Sequence, residues 1–153
     1  MENQERQQGS FFRFEELRVY HKALDYYQWA KTQVKDFCEL DYQTIGKPLL
    51  ESAADIVINI AEGSARQKAQ FVVFLKDAKT SLRECVVRTA MAHKGGVITD
   101  EQLNASSEYM EEMTRMLGAM INSLSPHTSK IRRNEQQETE FEDSVNPNPN
   151  FEY

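Results

Sequence analysis

The apolar residues Phe14, Leu17, Tyr20, Leu24, Tyr27, Val34 and Cys38 lie mostly three, four or seven positions apart, a spacing that predicts a first helix over 14–38. Val19, Tyr26, Ala30 and Phe37 form a second stripe beside the first, so the apolar arc is wider than one core-facing surface needs. Such a helix is expected to touch two things, its own core and a neighbour. Trp29 falls instead on the polar side with Lys22 and Asp25, and the enrichment of tryptophan in interfaces makes it a candidate partner contact.

Residues 39–47 lose the periodicity and contain Gly46, and Pro48 suits the first turn of a new helix, so a short connection is expected there. The second helix, 48–62, is apolar almost all round, with Leu49, Leu50, Ala53, Ala54, Ile56, Val57, Ile58, Ile60 and Ala61. It should be the most buried of the helices. Its polar residues Glu51, Asp55, Asn59 and Glu62 recur along one narrow strip, either a solvated edge or a hydrogen-bonded seam between helices. Gly63 stands where a helix terminus commonly needs a positive φ, and 64–67 makes the link.

Phe71, Phe74, Leu75, Ala78, Leu82, Cys85 and Val86 predict a third helix running to about residue 94. Lys76, Lys79 and Arg83 share one side of it, and Asp77, Glu84 and Arg88 lie along another. Gly95-Gly96 closes it, and Thr99 followed three residues later by Gln102 has the form of a capping box. A fourth helix then carries Leu103, Ser106, Met110, Met113, Leu117, Met120, Ile121 and Leu124 to the stop at Ser125-Pro126. Helical spacing alone accounts for this methionine stripe as packing.

Four helices with short links predict an all-α, antiparallel up-down-up-down four-helix bundle. Its expected limits are 11–125, flanked by polar residues 1–10 and an acidic, Asn-Pro-rich tail, 126–153, both expected to be disordered when free. Phe141, Phe151 and Tyr153 are the only aromatic residues of that tail and could serve as a docking peptide for a protein partner.

Charge changes the picture in one respect. The formal charge is −6, but residues 131–153 hold two arginines against six acids, and 11–130 hold 15 basic against 16 acidic side chains. The folded part is near neutral, so no overall positive field argues for nucleic acid. The two cysteines, Cys38 and Cys85, sit in apolar periodic segments and are expected to be reduced core thiols. The polar start at Met1–Ser10 and the want of a long apolar run point to a soluble, cytoplasmic protein with no membrane contact.

Catalytic chemistry finds no support. A di-iron or di-manganese bundle needs Glu-x-x-His pairs, and none of His21, His93 and His127 has a glutamate three residues before it. No glycine loop suited to phosphate occurs, and no nucleophile triad can be inferred from three scattered histidines. No catalytic residue, metal or cofactor is expected. Glu62 and Glu84 could be paired for acid/base work, but a structural role at the Gly63 turn is the better reading.

The run 14–23, FEELRVYHKA, the signature Asn59-Ile60-Ala61-Glu62-Gly63, the set Phe74-Leu75, Ala78, Ser81-Leu82 and Glu84, and the closing Met116-Leu117 to Leu124 resemble the four-helix-bundle family of 23S rRNA intervening-sequence proteins. That family includes the accessory variability determinant of diversity-generating retroelements. The resemblance covers about residues 11–125 and neither tail. It implies a bacterial, non-enzymatic accessory protein that assembles into a barrel-shaped homopentamer and binds RNA or a nucleic-acid enzyme such as a reverse transcriptase. It also implies a place for the wide apolar arc, making Val19, Tyr26, Trp29, Ala30 and Phe37 candidates for the oligomer interface. Asn59, Glu62, Gly63, Ser81 and Glu84 become structural motif residues. Where many members carry paired arginines early in the second helix, this chain has Leu50 and Glu51, with Asp55 in place of a small or hydroxylic residue. The remaining candidates for nucleic-acid contact are Arg66, Lys68, Lys76, Lys79 and Arg83. An oligomeric protein-interaction scaffold without nucleic-acid contact is the alternative.

Overall fold

The computed structural model describes residues 9–125, so the expectations for most of 1–10 and for 126–153 lie outside the described residues. Four long helices, α1 (Arg18–Val34), α2 (Lys47–Ser64), α3 (Lys68–Lys94) and α4 (Asp100–Leu124), make an all-α fold with no strand among the described residues, as a four-helix bundle requires. The core is built from one buried stripe of each helix. Val19, Ala23, Tyr26 and Val34 of α1 meet Leu49, Ala53, Ile56 and Ile60 of α2, Phe71, Leu75, Ala78, Leu82 and Cys85 of α3, and Met110, Met113 and Leu117 of α4. The methionines of α4 are packing residues, as their spacing implied.

The first helix is shorter than its periodicity suggested. Phe14 belongs to a 3-10 turn, Arg13–Glu16, and extended Leu17 separates that turn from α1. A bond of 2.5 Å between His21 Nε2 and the Glu15 carbonyl pins the turn to the helix. At the other end the helix stops at Val34, and Cys38 is extended at ψ 162. Cys38 is therefore exposed and not a core thiol; its Sγ donates to Asp41 Oδ2 at 3.2 Å. Cys85 alone takes the expected buried position.

Residues 39–47 are not a loop. A single turn, Glu39–Asp41, continues through a π-helical stretch, Tyr42–Gly46, directly into α2. The reason lies in Pro48, which has no N–H and whose ring would crowd the carbonyl four residues back in an ordinary α-helix; the wider π turn relieves both problems. Gly46 is helical at φ −64, and its place is tight: a Cβ there would sit 3.2 Å from the rings of Phe37 and Tyr42, which would have to give slightly to admit it. α2 is also less uniformly buried than expected, since Ile58 remains 55% exposed.

Gly63 corrects the sequence reading in the same way. It lies inside α2, which runs on through Ser64, and it has no positive φ. What it supplies is absence of a side chain. A Cβ at Gly63 would meet the Cβ of Phe74 at 2.6 Å and the Phe71 ring at 2.7 Å. The true left-handed glycine is Gly96, at φ 72. There the Val97 N–H donates to the Ala92 carbonyl at 2.8 Å and the Gly96 N–H to the His93 carbonyl at 3.0 Å, the paired bonds that end a helix in a left-handed residue.

α4 begins as its sequence indicated. The Gln102 N–H donates to Thr99 Oγ1 at 3.1 Å, and the Thr99 N–H donates to Gln102 Oε1 at 2.8 Å. Asp100 and Glu101 place negative charge on the first turn, where the helix dipole favours it. Asp100 also meets His93 Nε2 at 2.5 Å, joining the end of α3 to the start of α4.

Candidate interaction surface on the third helix

Among the described residues, no group of three His, Cys, Asp or Glu side chains is placed to hold a metal ion. The candidate residues sort between a buried seam and an exposed face.

The seam lies between α1 and α4 and contains most of the residues expected at an oligomer interface. Val19, Tyr26 and Ala30 are buried within the bundle, Tyr26 and Ala30 completely, so they are core residues and not a contact surface. The Tyr26 hydroxyl is 3.0 Å from Ser106 Oγ, which satisfies two polar groups in an apolar setting. Burial pushes the Tyr26 phenol well above its ordinary value of 10.0. Trp29 is not on a free polar face either. It stacks on Tyr26 at 5.7 Å between centroids and lies 6.0 Å from Tyr109, half-buried. Phe37 is likewise half-buried against the core. Two arcs on one helix therefore serve one interior, because α1 packs against both α2 and α4. At the rim, Lys22 Nζ is 2.7 Å from Glu112 Oε2.

α2 and α3 are joined by the close approach at Gly63 and by a polar relay that the sequence did not reveal. Arg88 Nε donates to Ser52 Oγ at 3.3 Å, and the Ser52 hydroxyl donates to Glu84 Oε2 at 3.0 Å. Glu84, for which a role at the Gly63 turn was expected, meets Ser52 instead, a partner that carried no signal in the spacing. Ser81 is buried and Asn59 half-buried. Glu62 does not pair with Glu84. It faces solvent, with Arg66 on the following turn at 3.9 Å. Glu51, Asp55 and Glu62 are all exposed, which makes their strip a solvated edge.

The five basic candidates divide. Arg66 is engaged twice, by Glu62 and by the Phe74 ring, 5.5 Å from the guanidinium carbon. Lys68, Lys76, Lys79 and Arg83 belong to α3 at spacings of eight, three and four, near-multiples of the helical turn, and form one row along its side. Lys94, eleven residues beyond Arg83, extends that row; its place at the helix end hides it from a reading of spacing alone. None of these five α3 cations forms a salt bridge among the described residues. Beside them runs an apolar stripe on the outward face of α3: Val73, Val87 and Met91 are 56%, 58% and 51% exposed, and Val86 adjoins them. Thr80, Arg83, Glu84, Val87, Arg88 and Met91 line a shallow depression on this face, continued by Val86, Ala90, Lys94 and Gly95.

No helix among the described residues is long and apolar enough to cross a membrane. No curated protein sequence matches the chain. Residues 15–119, which span all of α1–α3 and most of α4, match the family described as 23S rRNA-intervening sequence protein, and the chain belongs to that family.

Proposed function

We propose that the protein is a cytoplasmic, bacterial, non-enzymatic accessory protein that assembles as a homo-oligomer and binds RNA, or a nucleic-acid enzyme such as a reverse transcriptase, along α3. Its helices follow an antiparallel up-down-up-down course, and its copies close into a pentameric barrel. The observation that carries the reading is the row Lys68, Lys76, Lys79, Arg83 and Lys94, without ion pairs among the described residues and set along one side of a single helix. At about 1.5 Å per residue the row extends for roughly 40 Å, enough to follow several phosphates. Membership of the 23S rRNA-intervening sequence family supports the same direction. Oligomerisation is supported by large apolar side chains left in water away from the row, Leu24, Leu40 and Ile58 among them.

A gel shift with structured RNA across a salt series tests the RNA contact. Binding should weaken with salt, and Lys76→Glu, Lys79→Glu and Arg83→Glu should each weaken it and flatten the salt slope by about 0.7–0.9 for every phosphate no longer neutralised. Binding that ignores both salt and these substitutions would refute the reading. The native mass of the full chain tests the assembly, with a monomer as the refuting result. The apolar stripe Val73, Val87 and Met91 favours a second reading, a protein-interaction scaffold without nucleic acid, which an absent gel shift at low salt would select.

A further inference from the structure

The outward face of α3 combines two features that a single occupant must match. Val86, Val87 and Met91 are 44%, 58% and 51% exposed, an apolar patch that no other helix among the described residues covers. Around it stand Arg83, Arg88 and Lys94, with Glu84 the one opposing charge among the described residues that line it. A fitting occupant carries an apolar anchor among carboxylates.

The chain contains such a segment outside the described residues: Glu138-Thr139-Glu140-Phe141-Glu142-Asp143, where four carboxylates lie within three positions of one phenylalanine. We infer that residues 138–143 dock on the α3 face of their own chain, with Phe141 over Val87 and Met91 and the flanking acids on Arg83, Arg88 and Lys94. The alternative occupants fit less well. A second copy presenting the same face would bring like charges together, at a cost in free energy. The other aromatic stretch of the tail, Phe151-Glu152-Tyr153, offers one carboxylate.

Reach and affinity both permit the contact. Phe141 is 17 residues beyond Leu124, the end of α4, and an extended chain of that length spans about 55 Å. α3 is about 40 Å long, so the whole face is within range whichever end the tail leaves from. Exposed ion pairs contribute little individually, but a tether holds the segment at an effective concentration of roughly millimolar. A contact too weak to be seen between separate molecules is therefore populated within one. The inference stands apart from the RNA reading, since it needs no nucleic acid.

The test is the methyl spectrum of the full chain, recorded at two protein concentrations. Phe141→Ser should shift the methyl resonances of Val86, Val87 and Met91, equally at both concentrations, while those of buried Ile60 and Leu117 stay in place. Glu140→Lys combined with Glu142→Lys should give the same shifts, and Phe151→Ser should not. If Phe141→Ser leaves the three resonances unmoved, the docking is wrong. Shifts that follow protein concentration would assign the face to a second copy, and shifts produced by Phe151→Ser in place of Phe141→Ser would assign it to the other segment; either overturns the inference.

Discussion

The α1–α4 seam and the outward face of α3 contain similar residue types and use them in opposite ways. In the seam, Val19, Tyr26 and Ala30 are removed from water, the buried Tyr26 hydroxyl meets that of Ser106, and aromatic rings cover the rim. On α3, Val73, Val87 and Met91 are exposed beside a row of cations that form no salt bridge among the described residues. Each core-facing stripe lowers the free energy of the monomer by leaving water. The α3 stripe gains nothing from the packing of the four helices and acquires value only when something covers it. Residues that stabilise this fold and residues free to meet a partner are thus separated by helix face.

The sharpest way to break that separation is to disturb the packing between α2 and α3. Gly63→Val should lower stability by about 1–3 kcal/mol, because the new Cβ collides with the Phe74 Cβ, which moves only with its backbone. The urea midpoint measures this; an unchanged midpoint would mean that the helices separate freely and the close approach is unimportant. Alkaline pH attacks the core next. Burial, reinforced by the neighbouring Glu84 charge, pushes the Cys85 thiol from 9.0 up to about 12, while in the unfolded chain it ionises near its ordinary value. The folded state then holds more protons than the unfolded state, so the thiol's contribution to stability falls as pH rises above 9.0, by about 1.4 kcal/mol per unit at the steepest, and the buried Tyr26 phenol adds to the loss above 10.0. Cys85→Ala should flatten the pH dependence of stability in that window. A thiol reagent should label exposed Cys38 at once and Cys85 only on unfolding.

Tyr26→Phe should cost about 1 kcal/mol, and less in a Ser106→Ala background, where no hydroxyl is left unpaired. Denaturation of the four proteins closes the cycle, and strict additivity would deny the bond. At the rim, the hydrogen bond from Lys22 holds the Glu112 carboxyl below its ordinary 4.5. Its contribution is present above that pH and lost as pH falls through the depressed value, so the stability gap between the natural chain and Glu112→Gln should close in acid. The least effect is expected from Val87→Ser, within about 0.5 kcal/mol, because its side chain is 58% exposed. A large loss there would place the α3 face in the monomer's own core and erase the contrast.

Much of the fold was legible where local chemistry decides it. Thr99 and Gln102 are close in sequence and cap the same helix, and Gly95-Gly96 ends α3 by a bond pattern spanning a few residues. Where two distant surfaces meet, the same signals misled. Gly63 looked like a helix terminus because glycine is common there, yet its reason is the Phe71 and Phe74 side chains of the next helix. Gly46 and Pro48 looked like a break, and a π turn carried the helix through. Ser52 gave no sign of linking Arg88 to Glu84, since a serine on an apolar helix is chemically silent until its neighbours are known.

The candidate surface divides along the same line. Periodicity by itself determined that Lys76, Lys79 and Arg83 share a side of one helix, because 3.6 residues per turn follow from the backbone alone. It also determined which residues of each helix are apolar enough to be buried. It could not determine which apolar stripe faces a neighbour, since that depends on how four helices are set against one another. Only the tertiary structure decided that Val19, Tyr26 and Ala30 belong inside while Val73, Val87 and Met91 remain outside, because burial is a property of the packed assembly of helices and not of any one of them.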